Sequence, residues 1–224
     1  GAALCLASGL HEWFHGGGAE SPPCGVFAGV AASAHKAKGF VWVGQACWPY
    51  PHALRSRGTT DHRLMARSLF VKALHRAERV WAIEVALRCV GVGLVIGDGR
   101  GLTMAESRRL QLAASAFGGA ALLVRSESEL KSLSAARTRW RVSPRVEADH
   151  AQAWTVELLR CKGLRPTIEG ARRWVVRRDH ATGEIGEWQA CDGAVAAEVV
   201  ERPASPGGSA SADGSVRAAG SRIA

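Results

Sequence analysis

The chain has 224 residues, of which 47% are hydrophobic, and carries a formal net charge of +9 with a pI near 9.9. This is enough apolar material for one large core or two small ones, and it excludes a chain that is disordered throughout. The basic excess points to an acidic partner, nucleic acid or an acidic protein surface, with a merely basic solvated surface as the plain alternative. No apolar run approaches the ~20 residues that span a bilayer, so no membrane role is expected.

In chain order, His15-Gly16-Gly17-Gly18 followed by Ser21-Pro22-Pro23 reads as a loop, because glycine and proline punctuate regular structure. Cys24 to Lys38 is alanine-rich and suits a helix, with Gly39 as its C-terminal stop. Phe40–Gly44 is a short buried strand, and Trp48-Pro49-Tyr50-Pro51 a rigid extended turn. Arg67–Lys72 is a second strand. Glu78–Arg88, with Val80, Trp81, Ile83, Val85 and Leu87, suits a largely buried helix.

Val92–Asp98 is the clearest strand in the chain. Thr103 with Glu106 forms a capping box for a helix through Ala116, stopped at Gly118-Gly119. Ala120–Val124 is a further strand and Glu127–Leu133 a short helix. These strands are apolar throughout rather than alternating, as in a parallel sheet covered by helices on both faces. From Arg137 the period becomes two. Arg137–Val142, Trp154–Lys162 and Arg172–Arg178 alternate, and Asp179–Gly183 reads as a hairpin turn into Glu184–Gln189, giving an antiparallel extension. Residues 1–202 therefore read as one α/β domain, and 203–224, rich in Pro, Ala, Gly and Ser, as a tail that buries too little to order itself.

The six cysteines, at 5, 24, 47, 89, 161 and 191, form no C-x-x-C pair and no zinc spacing, and they suit reduced thiols in a cytoplasmic protein. The eight histidines have no metal-ligand spacing, and neither G-x-S-x-G nor H-E-x-x-H is present. Asp98 ends an apolar strand, the position from which phosphate-loop NTPases hold Mg²⁺, although many parallel strands end in Asp for turn or capping reasons. The partner motif, G-x-x-x-x-G-K-[S/T], should stand before the alanine-rich helix. Residues 16–25 there contain Gly16, Gly17 and Gly18 but no Lys, while Pro22 and Pro23 lack N–H donors and Glu20 would repel a polyphosphate. Tight ATP hydrolysis is not expected, and neither a catalytic residue nor a cofactor or metal is assigned.

The basic residues are clustered. Arg108 and Arg109 share one helix. Arg137, Arg139 and Arg141 alternate with Thr138, Trp140 and Val142, which places three guanidinium groups on one strand face. Arg160, Lys162 and Arg165 follow on the next strand, and Arg172, Arg173, Arg177 and Arg178 flank Trp174-Val175-Val176. Guanidinium rows bind phosphates; they also pair with acids such as Glu147, Glu157 or Glu184 on a solvated face. Arg108, Arg109, Arg137, Arg139, Arg141, Arg160, Lys162 and Arg165 are the candidate DNA- or partner-binding residues, and alanine at 137, 139 and 141 is expected to weaken binding without unfolding.

Together, several segments resemble the ImuA family of RecA-like proteins associated with damage-induced translesion synthesis. They are H-E-W-F at 11–14, V-W-V-G at 41–44, W-P-Y-P at 48–51, R-S-L-F-V at 67–71 and E-R-V-W-A-I-E-V-A-L-R at 78–88. Further along stand V-I-G-D-G at 95–99, R-R-L-Q-L-A-A at 108–114, T-R-W-R-V at 138–142 and W-T-V-E-L-L-R-C-K-G-L-R-P at 154–166. The resemblance implies a RecA-like, mostly parallel sheet flanked by helices. It also implies work in the SOS response beside translesion polymerase-like proteins, with RecA, DNA and a second copy of the chain as further partners. On that template the phosphate loop falls at residues 15–26 without its Lys, Gln45 and Ala46 stand where an activating glutamate is expected, and Asp98 keeps the Mg²⁺ position. The segment that binds DNA in recombinases falls between Val124 and Arg137 and is short. The expected function is thus a non-catalytic adaptor, against two alternatives: a divergent DNA-stimulated ATPase, and a single-strand DNA-binding module that stacks bases on tryptophan.

Overall fold

A computed structural model describes residues 8–16, 23–34, 38–51, 63–145, 152–162, 173–178 and 185–190. The Asp179–Gly183 turn, Gly17, Gly18, Arg165 and the 203–224 tail lie outside the described residues. Nine strands and four helices follow in the order β1 (Gly9–His15), α1 (Cys24–Ala34), β2 (Gly39–Val43), α2 (Arg63–Ala66), β3 (Ser68–Val71), α3 (Arg76–Arg88), β4 (Val92–Asp98), α4 (Met104–Phe117), β5 (Ala120–Ser126), β6 (Thr138–Arg145), β7 (Ala153–Cys161), β8 (Arg173–Arg178) and β9 (Ile185–Ala190).

All nine strands form one sheet in the order β3-β2-β4-β5-β1-β6-β7-β8-β9. Pairing is parallel from β3 to β6 and antiparallel from β6 to β9. Right-handed crossovers explain the layers. The steps from β1 to β2 and on to β3 run one way along the sheet, and those from β3 to β4 and on to β5 run back, so the two helix pairs fall on opposite faces. Two separate apolar clusters reflect this. On one face Trp13, Phe40, Trp42, Leu94, Ile96 and Leu122 meet Val26, Phe27 and Val30 of α1, with Leu64 of α2 packed alongside. On the other, Leu10, Val41, Val43, Val95 and Leu123 meet Val80, Ile83 and Leu87 of α3 and Leu110 and Ala114 of α4. In β1 to β5 the strand residues alternate between the clusters although both kinds are apolar, which is why no period-two pattern marks those strands.

The first cluster continues into the antiparallel extension through Trp140, Trp154, Val156 and Val176. Its aromatic centre is Trp13, which stacks on Trp140 at 5.5 Å and meets Phe27 edge-on at 5.6 Å. The capping box of α4 is formed: the Thr103 hydroxyl accepts from the Glu106 N–H, and the Glu106 carboxylate accepts from the Thr103 N–H at 2.8 Å. Gly118 ends the helix in the left-handed conformation, with φ 68°.

Four expectations need correction. The helix expected over 24–38 is present as Cys24–Ala34, residues 35–37 lie outside the described residues, and Lys38 is a bend with Gly39 opening β2. Glu127–Leu133 is a single 3-10 turn, Glu127–Glu129, because Ser126 caps only that turn and the chain then extends toward β6. The alternating segment at β6 joins the sheet parallel to β1, so the antiparallel part begins one strand later. Trp81 and Val85, expected inside α3, lie on its outer face. They sit on the side of the helix away from Val80, Ile83 and Leu87, which supply the contact with the sheet.

Candidate functional site

The carboxyl ends of the parallel strands are where open α/β sheets bind ligands. Here that edge is formed by His15, which ends β1, with Gly16 after it, by Gly44 after β2, and by Asp98 and Ser126, which end β4 and β5. Asp98 is buried, and its oxygens are taken by arginine. Oδ1 accepts from the Arg100 backbone N–H at 3.1 Å and from Arg100 Nε at 2.9 Å, and Oδ2 accepts from Arg100 Nη2 at 2.7 Å. Arg79 lies 3.6 Å from Oδ2 and donates from Nε to the Asp98 carbonyl. Burial pushes the Asp98 carboxyl up, but the hydrogen bonds from Arg100 and the charges of Arg79 and Arg100 outweigh it and hold the group below the usual carboxylate range.

Gly44 closes the site from the side. Its φ is 87°, and a Cβ there would lie 2.9 Å from Asp98 Cβ. Cys47 packs beneath, donating from Sγ to the Val43 and Gly44 carbonyls at 3.1 Å, and its burial raises the thiol far above its ordinary range. Burial likewise pushes Cys24, at the start of α1, up to about 11. Neither thiol is a nucleophile at neutral pH.

This set does not fit Mg²⁺. The ion needs carboxylate oxygens at about 2.0–2.1 Å in octahedral geometry, whereas three donors of Arg100 already take most of the acceptor sites of the Asp98 carboxylate, with the Arg79 charge beside it. A cation here would have to displace Arg100 and sit beside Arg79. Among the described residues no three His, Cys, Asp or Glu side chains converge to hold a metal ion.

The folded-state pKa of Asp98 is depressed, so the stability this group supplies is fully present above the unfolded-state carboxyl value near 3.9 and lost as pH falls through the lower folded one. Thermal melts should accordingly find Asp98→Asn less stable than the parent at neutral pH, with the difference shrinking below about pH 4. A constant difference from neutral to strongly acid pH would mean that charge on Asp98 contributes nothing.

A second charged cluster lies beside this edge and was not singled out by motif. Glu12 of β1 is fully buried. Its Oε1 accepts from Arg125 Nη1 of β5 and from the Ser134 hydroxyl, both at 2.7 Å, and its Oε2 accepts from Arg139 Nε of β6 at 3.0 Å. Arg125 also reaches Glu129, whose Oε1 accepts from the Gly101 N–H at 2.7 Å, so the cluster is tied to the loop after Asp98. Phe14 lies under both guanidinium groups, 4.6 Å from Arg139 and 5.7 Å from Arg125. The available sequence signal is an acid and a base, Glu12 and Arg125, each inside or ending an otherwise apolar strand.

The basic candidates fall in two groups. Arg137, Arg139, Arg141, Arg160 and Lys162 gather on β6 and β7, where Arg139 and Arg160 are direct register partners. Their donors point mostly inward. Arg137 reaches the Ser8 carbonyl at 3.1 Å and Arg139 the Leu130 carbonyl at 3.0 Å. Arg160 donates to the Ser134 and Ala136 carbonyls, and Lys162 to that of Ala135 at 2.7 Å. Arg141 lies between Glu127 at 2.8 Å and Glu157 at 2.9 Å. These side chains pin the segment between β5 and β6 to the sheet. Because Arg139 also neutralises buried Glu12, alanine at 137, 139 and 141 together would test stability before binding. Arg108 and Arg109 stand apart on the outer face of α4, with Arg109 Nε 2.9 Å from Glu84 of α3. Gly16 lies at the end of β1.

No protein-family model matches the chain. It is similar to Protein ImuA from two strains of Caulobacter vibrioides, 29% identical over 142 residues, which is 56% of this chain and 57% of that protein. The chain thus matches just over half the length of these curated relatives. Among solved structures it is similar to the crystal structure of the RadB recombinase, with a TM-score of 0.55 at 13% identity, covering 81% of this chain and 93% of that one. Over that stretch the chain resembles Protein ImuA, and its fold is RecA-like, as in the RadB recombinase structure. At the carboxyl edge of the parallel strands, the chain's own arginines occupy Asp98. No helix among the described residues is long and apolar enough to cross a membrane.

Proposed function

We propose that this ImuA-like protein is a non-catalytic adaptor in damage-induced translesion synthesis, one that docks other mutagenesis proteins rather than turning over nucleotide. The observation that carries this reading is the Asp98 carboxylate held by three hydrogen bonds from Arg100 and flanked by Arg79. The missing loop lysine, the resemblance to ImuA and the RecA-like fold support it. The pinned segment between β5 and β6 supports it too, since a DNA-binding loop needs freedom that the bonds to Arg139, Arg160 and Lys162 remove. Trp13, Trp42, Trp140 and Trp154 are buried and offer no face for base stacking, which among the described residues leaves Trp81 as the exposed indole.

The test is genetic. A strain lacking the gene is complemented with the parent or with Asp98→Asn at matched protein abundance, and damage-induced mutation frequency is scored. The adaptor reading expects equal frequencies. Loss of mutagenesis by a folded Asp98→Asn protein, with ATP turnover by the parent, would favour the ATPase instead.

A further inference from the structure

α3 and α4 lie side by side over the second apolar cluster, and their outward faces have no covering element among the described residues. Arg76 bridges to Glu106 at 2.7 Å and Arg109 to Glu84 at 2.9 Å, which fixes the two helices as one surface. It carries three large exposed apolar side chains: Trp81 at 65% and Val85 at 43% on α3, and Leu112 at 61% on α4. Trp81 and Val85 are one turn apart on α3 and thus neighbours. An isolated exposed apolar residue needs no explanation, but an exposed tryptophan with an exposed aliphatic one turn away, and a further exposed leucine on the paired helix, does.

Charge toward the C-terminal half of this face is mostly positive, while Glu78, one turn before Trp81, is exposed and accepts from the Leu74 and His75 N–H groups at the start of α3. Arg88 and Arg109 share the single carboxylate of Glu84, at 2.6 Å and 2.9 Å, and that acid is largely covered while both guanidinium groups remain more than half exposed. Arg108 is exposed beside them on α4. Arg88, Arg108 and Arg109 against the sheltered Glu84 leave that end of the face positive, next to its exposed apolar side chains. Exposed apolar side chains that include a tryptophan, with arginine beside them, have the composition of a protein-binding hot spot. A second copy of the chain would set like charges against each other. A nucleic acid would leave Val85 and Leu112 without apolar partners and bring phosphate up to Glu84.

We propose that the α3/α4 face docks an acidic amphipathic segment of a protein partner, with Trp81 as anchor and Arg108, Arg109 and Arg88 reading the acidic flanks. The site specifies where the adaptor proposed above would grip a protein. It rests on that reading only in taking the partner to be a protein, and it is read with purified components, so it fails separately from the mutagenesis assay.

The probe is a fluorescein-labelled helical peptide with leucine on one face and glutamate on its flanks, with a matched lysine-flanked peptide for comparison. Binding is followed by anisotropy, and circular dichroism verifies the fold of each variant. The glutamate peptide should bind the parent, weaken with salt, and lose about tenfold or more in affinity in Trp81→Ala. Leu112→Ala should weaken it as well. Arg108→Glu should weaken the glutamate peptide and strengthen the lysine peptide. Failure of the glutamate peptide to bind, or equal binding to the parent and Trp81→Ala, overturns the proposal. Trp81-dependent self-association in sedimentation, or Trp81-dependent binding of an oligothymidylate in place of the peptide, overturns it in favour of a second copy or of nucleic acid.

Discussion

Glu12→Gln is expected to cost about 3–5 kcal/mol, the usual loss when one partner is removed from a buried ion pair and the other charge is left uncompensated. For a chain of this size that is a fall of roughly 6–20 °C in Tm, at about 2–4 °C per kcal/mol. The amide keeps the shape of the side chain and the bond from Ser134, but it leaves Arg125, almost wholly buried, and Arg139 without their shared anion. Arg125 cannot shed its proton to escape, because guanidinium stays charged in proteins. Its remaining acid, Glu129, lies 3.3 Å away and is partly engaged by the Gly101 N–H. Combining Glu12→Gln with Arg125→Met should cost less than the sum of the two single changes, since each removes the other's unpaired charge. Thermal melts of the four proteins read this directly. Strict additivity would show that the two residues act independently.

Trp13→Ala is the second large effect, expected at about 3–5 kcal/mol for a large aromatic side chain removed from a packed core. Trp13 is fully buried between Phe27 of α1 and Trp140 of β6, so its loss opens a cavity where the parallel sheet joins the antiparallel extension. Trp81→Ala, the same change on α3, should stay within about 0.5 kcal/mol, as surface substitutions do. Urea titrations of both variants give the contrast. A large loss in Trp81→Ala would mean that Trp81 packs against the protein's own chain and not against a partner.

The two tryptophans mark the boundary of what pattern alone can tell. Both stand in apolar runs, Trp13 in Leu10-His11-Glu12-Trp13-Phe14 and Trp81 in Val80-Trp81-Ala82-Ile83. Helical period does place Val80, Ile83 and Leu87 on one side of α3, yet the run is so rich in apolar residues that Trp81 and Val85 read as buried too. Only the packing of α3 against β4 and α4 decides which side is inside. The Arg137, Arg139 and Arg141 row behaves similarly. Its alternation is legible and places the three on one strand face, but whether guanidinium faces a partner or the protein's own acids depends on Glu12, Glu127 and Glu157, each more than ten residues away in sequence.

The sequence by itself determined the α/β class, β4 to the residue, the α4 cap at Thr103 and Glu106, and the absence of a lysine from the phosphate loop. These are local matters, governed by apolar run length, capping chemistry and residue identity. The central strand β1 is less legible, because His11 and Glu12 interrupt its apolar run and become acceptable only when Thr138, Arg125 and Arg139 arrive from β5 and β6 to satisfy them. The fate of Asp98 was likewise decided by tertiary structure. A strand-end aspartate is the same residue whether it holds a metal ion or an arginine, and it is the approach of Arg79 from α3, together with the turn that folds Arg100 back, that fills its oxygens. Burial makes those partners obligatory, since a charge withdrawn from water must find its counter-charge within the fold.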